Sequence, residues 1–238
     1  MKAMILAAGL GTRLKPFTDN HPKALAVVNG KTLLQRNIEY LHSFGITKMI
    51  VNVHHFAQQI IDFVNDNREL KSLVSFSDET DEVLETGGGL MRAAWFLKDS
   101  DPFVLMNVDI LTDMNLEQML HRHKSGNYLA TLAVSDRATS RYLLFDERDV
   151  LCGWRNVKTG EEVIRRKADN YYQKAFTGIH ILSPEIFSLI NRKGKFSIID
   201  SYLDLADGHV IIGYDHTGSR FCDAGTPQSL LRASQMFP

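Results

Sequence analysis

Residues Lys2 to Leu25 read KAMILAAGLGTRLKPFTDNHPKAL, and this stretch decides the fold. Its first part, Ala3 to Ala8, is an uninterrupted apolar run with the length of a buried strand. A glycine-rich loop follows at once, and two cations, Arg13 and Lys23, come after the two glycines of that loop. A strand that delivers free backbone N–H groups and positive charge to one edge of a sheet is typical of a phosphate-binding site.

The loop Gly9-Leu10-Gly11-Thr12 differs from the common nucleotide-binding loops. A dinucleotide-binding fingerprint has a third glycine at the position where this chain has Leu14. The loop also lacks the Gly-Lys-Ser/Thr ending of a Walker A motif. It therefore predicts a phosphate site of a third kind, in which Arg13 can grip two oxygens at once.

Composition narrows the class of protein. The chain has 238 residues, 44% of them apolar and 23% charged, and a net charge of -1. These values are typical of a folded globular chain and argue against a nucleic-acid binder held by backbone electrostatics. No apolar run reaches membrane-spanning length, and the apolar N-terminus is interrupted by Gly9 and Arg13, so we predict neither a membrane span nor a signal peptide. The two cysteines, Cys152 and Cys222, lack zinc-site spacing and suit a reducing cytoplasm, where we expect the protein.

Strand-like and helix-like segments alternate along the first half of the chain. This alternation predicts an α/β fold with a mostly parallel sheet and helices on both faces. The second half, residues 126–238, has short strands joined by polar turns, and we expect it to continue the same sheet within a single domain, 1–238. The predicted strands are Ala3–Ala8, Lys48–Val53, Leu73–Phe76, Pro102–Met106, Tyr128–Ser135, Tyr142–Phe145, Val150–Val157, Phe176–Leu182, Val210–Tyr214 and Arg220–Cys222. The predicted helices are Thr32–Phe44, Phe56–Val64, Gly89–Leu97, Leu116–His123, Ile198–Ala206 and two that start at Pro184 and Pro227.

Acidic residues follow two of the predicted strands. Asp109 comes after the strand that ends at Met106, and Asp223 after the strand that ends at Cys222. Ligands of open α/β sheets bind beyond the carboxyl ends of the strands, and Mg²⁺ accepts one or two carboxylates together with phosphate oxygens. The two acids together predict a shared metal site, although each alone is more typical of a turn or a helix cap. Asp113 is assigned to capping the helix that begins near Asn115.

A fourth polar stretch, Glu85-Thr86-Gly87-Gly88-Gly89, stands before a predicted helix. Three successive glycines offer a backbone surface against which a planar base or a ribose can lie. The same glycines are as typical of plain helix entry.

Taken in order, these clusters resemble the nucleotidyltransferase family that makes nucleotide-sugars from a nucleoside triphosphate and a sugar 1-phosphate. The family's opening pattern, G-x-G-T-R-L-x-P-x-T followed by P-K, is matched by Gly9 to Thr18 and by Pro22-Lys23, and its closing D-x-G-T-P by Asp223 to Pro227. The resemblance implies a Rossmann-like three-layer sandwich with a mixed, mainly parallel central sheet. It also implies a nucleotide-binding half, 1–125, and a sugar-binding half, 126–238, without the left-handed β-helix that some members append.

The family also implies roles for the residues of the opening loop. Ala8 and Gly9 would contact the nucleoside. Gly11, Thr12 and Arg13 would hold the triphosphate.

Further roles fall on residues outside that loop. Lys23 would bridge the α-phosphate and the sugar phosphate. Thr86 and Gly87 would lie at the base and the ribose. Asp109 and Asp223 would hold Mg²⁺, the cofactor that the resemblance implies.

The sugar side of the resemblance rests on Thr177 and Gly178, which are similar to a sugar-facing Thr-Gly or Ser-Gly strand of the family. Two residues depart from the family pattern. Val108 stands where members usually have glycine, and a side chain there changes how closely a nucleotide or metal can approach Asp109. Phe221 stands where members usually have tryptophan and keeps an aromatic group.

The substrates are indicated less specifically. Leu84 to Gly89 looks most like the N-acetylmuramate 1-phosphate uridylyltransferases of cell-wall recycling, which favours UTP and an N-acetylated hexose 1-phosphate. Mannose- and heptose-1-phosphate guanylyltransferases often show Leu-Gly-Thr where this chain has Leu84-Glu85-Thr86. A cytidylyltransferase acting on a choline-type phosphate and a non-catalytic nucleotide-sugar sensor are further alternatives. Leu14 argues against an NAD-binding dehydrogenase.

Overall fold

Fourteen strands and nine α-helices make up the fold, and the computed structural model describes all residues from 1 to 238. The strands are β1 (Lys2–Leu6), β2 (Val27–Val28), β3 (Lys31–Thr32), β4 (Met49–Val53), β5 (Val74–Asp78), β6 (Phe103–Asn107), β7 (Ile110–Thr112), β8 (Ala130–Ser135), β9 (Arg141–Phe145), β10 (Leu151–Asn156), β11 (Glu161–Ile164), β12 (Tyr172–Leu182), β13 (Ile211–Asp215) and β14 (Phe221–Asp223). The helices are α1 (Leu33–Ser43), α2 (Ala57–Asp66), α3 (Arg68–Leu73), α4 (Glu85–Arg92), α5 (Ala94–Leu97), α6 (Leu116–Lys124), α7 (Ile186–Leu189), α8 (Ile198–Leu205) and α9 (Pro227–Met236). No helix has both the length and the apolar character needed to cross a membrane.

Ten of the strands form one mixed sheet. Its order is β11-β10-β9-β12-β6-β1-β4-β5, with β8 paired to β12 and β13 paired to β8. The four strands β6, β1, β4 and β5 run parallel, and β12 runs antiparallel to β6, β8 and β9. The predicted α/β fold class with a mixed central sheet is confirmed.

The expectation of one continuous sheet is wrong for the segment Arg220–Cys222. The strand there, β14, pairs with β7 in a separate two-stranded ladder. This occurs because the chain turns away from the main sheet after Asn107, so that Ile110–Thr112 is left to pair elsewhere. The ladder brings the end of β14 to the end of β6.

Alternating apolar side chains on the central strands divide the core into two layers. On β1, Ala3 and Ile5 lie in one buried cluster with residues of α1, α2, α3 and α6. Met4 and Leu6 lie in a second cluster with residues of α4, α5, α7 and α8. Because both faces of β1 are covered, its sequence reads as a continuous apolar run, as expected for a buried parallel strand.

Two local assignments are corrected by hydrogen bonds. Asp113 does not cap α6, because the side chain of Asn115 accepts from the Gln118 N–H and fills that role. Asp113 instead accepts from the backbone N–H and the Nε of Arg220, at 2.8 and 2.7 Å. Strand β11, which begins Glu161-Glu162, was not predicted, because its exposed acidic residues give no apolar alternation.

The triple glycine lies inside α4 and not ahead of it as predicted. Glycine disfavours a helix, but packing excludes any side chain at these positions. A Cβ on Gly87 would lie 2.2 Å from the ring of Phe196, and a Cβ on Gly88 would lie 2.2 Å from the carbonyl oxygen of Gly194. The glycines therefore let α4 approach the segment before α8 more closely than other residues would permit.

A Gly-Lys-Thr sequence does occur outside the opening loop, at Gly30-Lys31-Thr32. It belongs to a tight hairpin between β2 and β3, in which Asn29 and Gly30 have φ of 47° and 79°. The Thr32 side chain accepts from the Gln35 N–H and caps α1. This tripeptide is structural and does not form a phosphate loop.

The strand order determines where a ligand can bind. From β1 the chain proceeds to β4 and β5 on one side, and then crosses to β6 on the other side. Ligands of open α/β sheets bind at such a reversal, beyond the carboxyl ends of the strands. The loops that follow β1 and β6 meet at this point.

We predict that Gly88→Ala destabilises the protein. The clash with the carbonyl oxygen of Gly194 outweighs the gain of about 1 kcal/mol in helix propensity, and we expect a net loss of about 1–3 kcal/mol in the free energy of unfolding. Urea unfolding measures this loss. Gly208→Ala is the matched control, since no atom lies within 4 Å of its added Cβ. Equal stability of the two variants would contradict the packing role of Gly88.

Candidate active site

The loop after β1 is folded around Gly11. This residue has φ of +63°, a backbone conformation that favours glycine, and an added Cβ would lie 2.9 Å from Thr18 and 3.0 Å from Lys23. The hydroxyl of the buried Thr18 donates to the Gly11 carbonyl at 3.0 Å. Thr18 therefore holds the loop against the segment that carries Lys23, which explains the spacing between glycine, threonine and lysine in the sequence.

Lys23 forms an ion pair with Asp109. Its Nζ donates to the Asp109 Oδ2 at 2.7 Å, and the two side chains are only 16% and 10% exposed. The pair joins the loop after β1 to the end of β6. Since little water reaches it, this ion pair is stronger than one on the open surface.

Arg13 lies between two carboxylates. Its Nη2 is 3.9 Å from Oδ2 of Asp109 and 3.9 Å from Oδ1 of Asp223. These distances are too long for hydrogen bonds, and the Arg13 side chain is 62% exposed. The guanidinium is therefore available to bind an incoming anion.

The segment Asp223 to Pro227 is built to bring its aspartate to this place. The Ala224 N–H donates to the Asp109 carbonyl at 2.8 Å, which extends the β7–β14 ladder. A Cβ on Gly225 would lie 2.8 Å from both Arg13 Nη2 and Asp223 Oδ1. Thr226 caps α9, and Pro227 occupies its first turn. Each residue from Asp223 to Pro227 thus has a structural role that explains its place in the motif.

A cavity of about 350 Å³ opens beside these charges, and we call it the central cavity. It is lined by the ends of β1, β4 and β6, by the start of α4 and by Ser197, the residue that caps α8. Five of the sequence-predicted residues line it, and these are Ala8, Gly9, Lys23, Thr86 and Asp109. Arg13 flanks it through its contact with Asp109, and Asp223 in turn lies 3.9 Å from Arg13.

Thr86 and Gly87 differ in their access to the central cavity. Thr86 lines it, and its hydroxyl also accepts from the Ile198 N–H at 2.9 Å. Gly87 is buried, and its N–H already donates to the Phe196 carbonyl at 2.9 Å. Of the two residues, only Thr86 presents atoms to a ligand in this geometry.

Thr177 and Gly178 lie where β12 bulges between its pairings with β8. The buried Thr177 hydroxyl donates to the Ala133 carbonyl at 2.9 Å and lies 2.9 Å from His216 Nε2, so that nitrogen must be the donor to Thr177. Gly178 has φ of +82°, and an added Cβ would lie 2.9 Å from the amide nitrogen of Asn107, which lines the central cavity. Thr177 therefore acts inside the fold, and Gly178 permits the close approach to Asn107.

Val108 does not enter the central cavity. Its side chain is buried in the cluster below β1, and its carbonyl accepts from the Asn37 amide at 2.7 Å. The residue that replaces the usual glycine thus contributes to packing, while its neighbours Asn107 and Asp109 face the cavity.

Asn52 also lines the central cavity, and Glu79 accepts from its side chain. Neither residue belongs to a motif predicted from the sequence. Asn52 lines the cavity, accepts from the Ala7 N–H at 2.7 Å and donates to Glu79 Oε1 at 2.8 Å. Burial raises the pKa of the Glu79 carboxyl, whose second oxygen has no partner. The sequence could have indicated Asn52, because it is the one polar residue in the otherwise apolar strand Met-Ile-Val-Asn-Val.

The acids of the site fit a magnesium ion that is completed by a ligand. No group of three or more His, Cys, Asp or Glu side chains converges anywhere in the structure, so a site made of protein ligands alone is absent. Asp109 and Asp223 flank one guanidinium and are linked through the Ala224 N–H. Mg²⁺ commonly takes one or two carboxylates together with substrate phosphates, and these two residues supply that donor set.

Curated relatives cover nearly the whole chain. The N-acetylmuramate alpha-1-phosphate uridylyltransferase of Caulobacter vibrioides is 31% identical, over 97% of this chain and 94% of that protein. The mannose-1-phosphate guanyltransferase of Yarrowia lipolytica is 26% identical over 100% of this chain, but the chain covers only 64% of that protein.

Solved structures and a family model agree with the predicted fold and family. HddC from Yersinia pseudotuberculosis has a TM-score of 0.80 and 24% identity, with 100% of this chain and 99% of that chain covered. The UTP-bound UGPase from Acinetobacter baumannii has a TM-score of 0.77 and 18% identity, with 98% and 92% covered. At these identities the likeness shows the fold. The family model described as "Nucleotidyl transferase" matches residues 2–237, and the chain therefore belongs to the nucleotidyl transferase family.

Proposed function

We propose that the protein transfers a nucleotidyl group from a nucleoside triphosphate to a sugar 1-phosphate and releases pyrophosphate. The observation that carries this proposal is the arrangement of Lys23, Arg13, Asp109 and Asp223 at the mouth of the central cavity. Two cations and two acids placed beside a cavity of nucleoside size suit a triphosphate and its metal. Membership of the nucleotidyl transferase family supports the same chemistry.

The loop after β1 would hold the nucleotide. Ala8 and Gly9 line the central cavity and offer backbone to the nucleoside. Gly11 and Thr12 directly precede Arg13, whose guanidinium is exposed, and their backbone N–H groups would bind the triphosphate together with it. Arg13 would then stabilise the charge that develops on the departing pyrophosphate.

Lys23 would hold the two reacting phosphates together. An anionic oxygen of the sugar phosphate attacks the α-phosphorus, the bond to the pyrophosphate oxygen breaks, and no protein nucleophile is required. Two phosphates repel each other, and a lysine between them lowers the cost of their approach. The Lys23 ammonium donates to Asp109, and a bound phosphate would compete with that carboxylate for it. A magnesium ion on Asp109 and Asp223 would supply neutralisation of phosphate charge.

The favoured substrates are UTP and N-acetylmuramate 1-phosphate. The Caulobacter vibrioides relative, which covers nearly the whole chain, carries that activity in its name. A second candidate is a guanylyltransferase acting on mannose or heptose 1-phosphate, which the Yarrowia lipolytica relative favours.

We predict Mg²⁺-dependent pyrophosphate release that is fastest with UTP and N-acetylmuramate 1-phosphate. A coupled pyrophosphate assay over four triphosphates and a panel of sugar phosphates measures this. Preference for GTP with mannose 1-phosphate would contradict the favoured substrates and support the second candidate. Absence of release with every pair would contradict nucleotidyl transfer itself.

We predict that Lys23→Ala lowers kcat by about 100- to 1,000-fold, because the phosphates lose their shared cation. Steady-state kinetics measure the change, and circular dichroism verifies the fold. Lys15→Ala is the matched control, since Lys15 lies in the same segment and pairs with Asp19 on the surface at 2.9 Å. A Lys23→Ala enzyme with nearly normal kcat would refute the bridging role.

Glu85 is held in a conformation that opposes its residue type. It has φ of +58°, where a non-glycine residue costs about 1–2 kcal/mol, and it lines the central cavity. Its carboxylate lies 3.7 Å from Lys195 Nζ on the surface, a contact too weak to offset the strain. We propose that Glu85 accepts a hydrogen bond from a nucleoside N–H or O–H group.

We predict that Glu85→Gly raises KM for the nucleoside triphosphate by about 2- to 10-fold without lowering stability. The substitution removes an acceptor and the strain together. Asp149→Gly, which relieves a similar φ of 61° in a turn outside the site, should leave KM unchanged. An unchanged KM in Glu85→Gly would show that the carboxylate does not touch the nucleotide.

A further inference from the structure

A second cavity of about 510 Å³, which we call the side cavity, lies between β9–β11 and α8. It shares Ser197 with the central cavity, so the two are neighbours. Its floor is formed by Trp154 and by Leu143 and Val163, which pair with Trp154 across β9 and β11 and therefore project to the same face. An aromatic and apolar floor of this size suits the C–H face of a sugar ring.

Arg137 lines the side cavity and forms no ion pair; burial lowers its pKa, and the acid that acts most strongly on its charge, Asp223, lies beyond ion-pair distance. Its Nη2 donates to the Phe176 carbonyl at 2.9 Å, its Nε is buried without any partner, and no carboxylate lies within ion-pair distance. The guanidinium stands 5.4 Å from the centre of the Phe221 ring, the residue that replaces the family's tryptophan. Half-buried charges are normally paired, so Arg137 is prepared for an anion that is not part of the protein.

The other charged residues of the side cavity do not neutralise Arg137. Asn156 of β10 pairs with Arg141 of β9 on one side and with Glu161 of β11 on the other. Arg141 and Glu161 are both exposed, at the outer end of the floor. Asp200 lines the cavity from α8, lies 4.0 Å from Arg192 and forms no ion pair with Arg137. Arg137 is therefore the one charged residue of the side cavity that has a buried polar atom without a partner.

We infer that the side cavity recognises a carboxylate carried by the sugar, with Arg137 as its counterion. This inference rests on the proposed function and narrows the acceptor to an acidic sugar 1-phosphate. The 1-phosphate itself belongs to the central cavity, since Lys23 lines that cavity and Arg137 does not. The sugar ring would extend past Ser197 over Trp154, and its acidic substituent would meet the guanidinium.

The test compares two acceptors that differ only in the lactyl ether that bears the carboxylate. N-acetylmuramate 1-phosphate carries a lactyl carboxylate that N-acetylglucosamine 1-phosphate lacks. We expect the unmodified enzyme to prefer the acidic acceptor in kcat/KM, and Arg137→Gln to lower kcat/KM for it by about 10- to 100-fold. With the neutral acceptor the same variant should change kcat/KM less than about 3-fold, and Arg137→Lys should recover part of the preference.

Arg155→Gln is the matched control, because Arg155 lies on the opposite face of β10 from Trp154 and pairs with Glu162. Arg155→Gln should change kcat/KM for neither acceptor. Equal losses with both acceptors in Arg137→Gln would place Arg137 at the phosphate or in the scaffold, and would overturn the inference. An unmodified enzyme without preference between the two would also overturn it while leaving nucleotidyl transfer intact. Absence of pyrophosphate release with either acceptor and every triphosphate would instead remove the proposed function.

Discussion

The ion pair between Lys23 and Asp109 is the interaction on which the rest of the site depends. It spans 86 positions of the sequence and fastens the loop after β1 to the end of β6, the two strands at which the sheet order reverses. Gly11 and Thr18 hold the lysine side of the pair. On the other side, the buried Val108 anchors the aspartate through the core and through its carbonyl.

The two cations of the site differ in their exposure to water. Lys23 and Asp109 are nearly buried, whereas Arg13 is 62% exposed and lies 3.9 Å from either acid. The inner pair links the loop to the end of β6 through a short hydrogen bond, and the exposed outer guanidinium can exchange its partners at little cost. A phosphate ligand therefore meets a preformed inner charge pair and an adaptable outer cation.

The alternation of apolar segments was sufficient to predict the central strands, because both faces of β1 are buried and no other structure accommodates such a run. Asp109 was predictable because it follows β6, a parallel strand whose carboxyl end lies at the ligand-binding edge. Asp223 reaches the same place by a different route, because β14 pairs antiparallel with β7 outside the main sheet. Sequence patterns could not show that Gly88 lies within a helix. Glycine is needed there because the backbone of Gly194, which is distant in sequence, leaves no room for a side chain. Nor could they show that Thr177 turns its hydroxyl toward Ala133 in the interior.

Glu85 and Arg137 are the residues that we most expect to contact a ligand, because neither follows the usual conformational or pairing preference of its residue type. Glu85 keeps a side chain where the backbone favours glycine, and Arg137 keeps a half-buried charge that forms no ion pair. Both features cost free energy in the protein alone. Such costs are expected where a bound molecule supplies the missing partner. Glu85 lines the central cavity and Arg137 the side cavity, and Ser197 joins the two, so a nucleotide in the first and an acidic sugar that extends into the second would together satisfy both costs in a single bound complex.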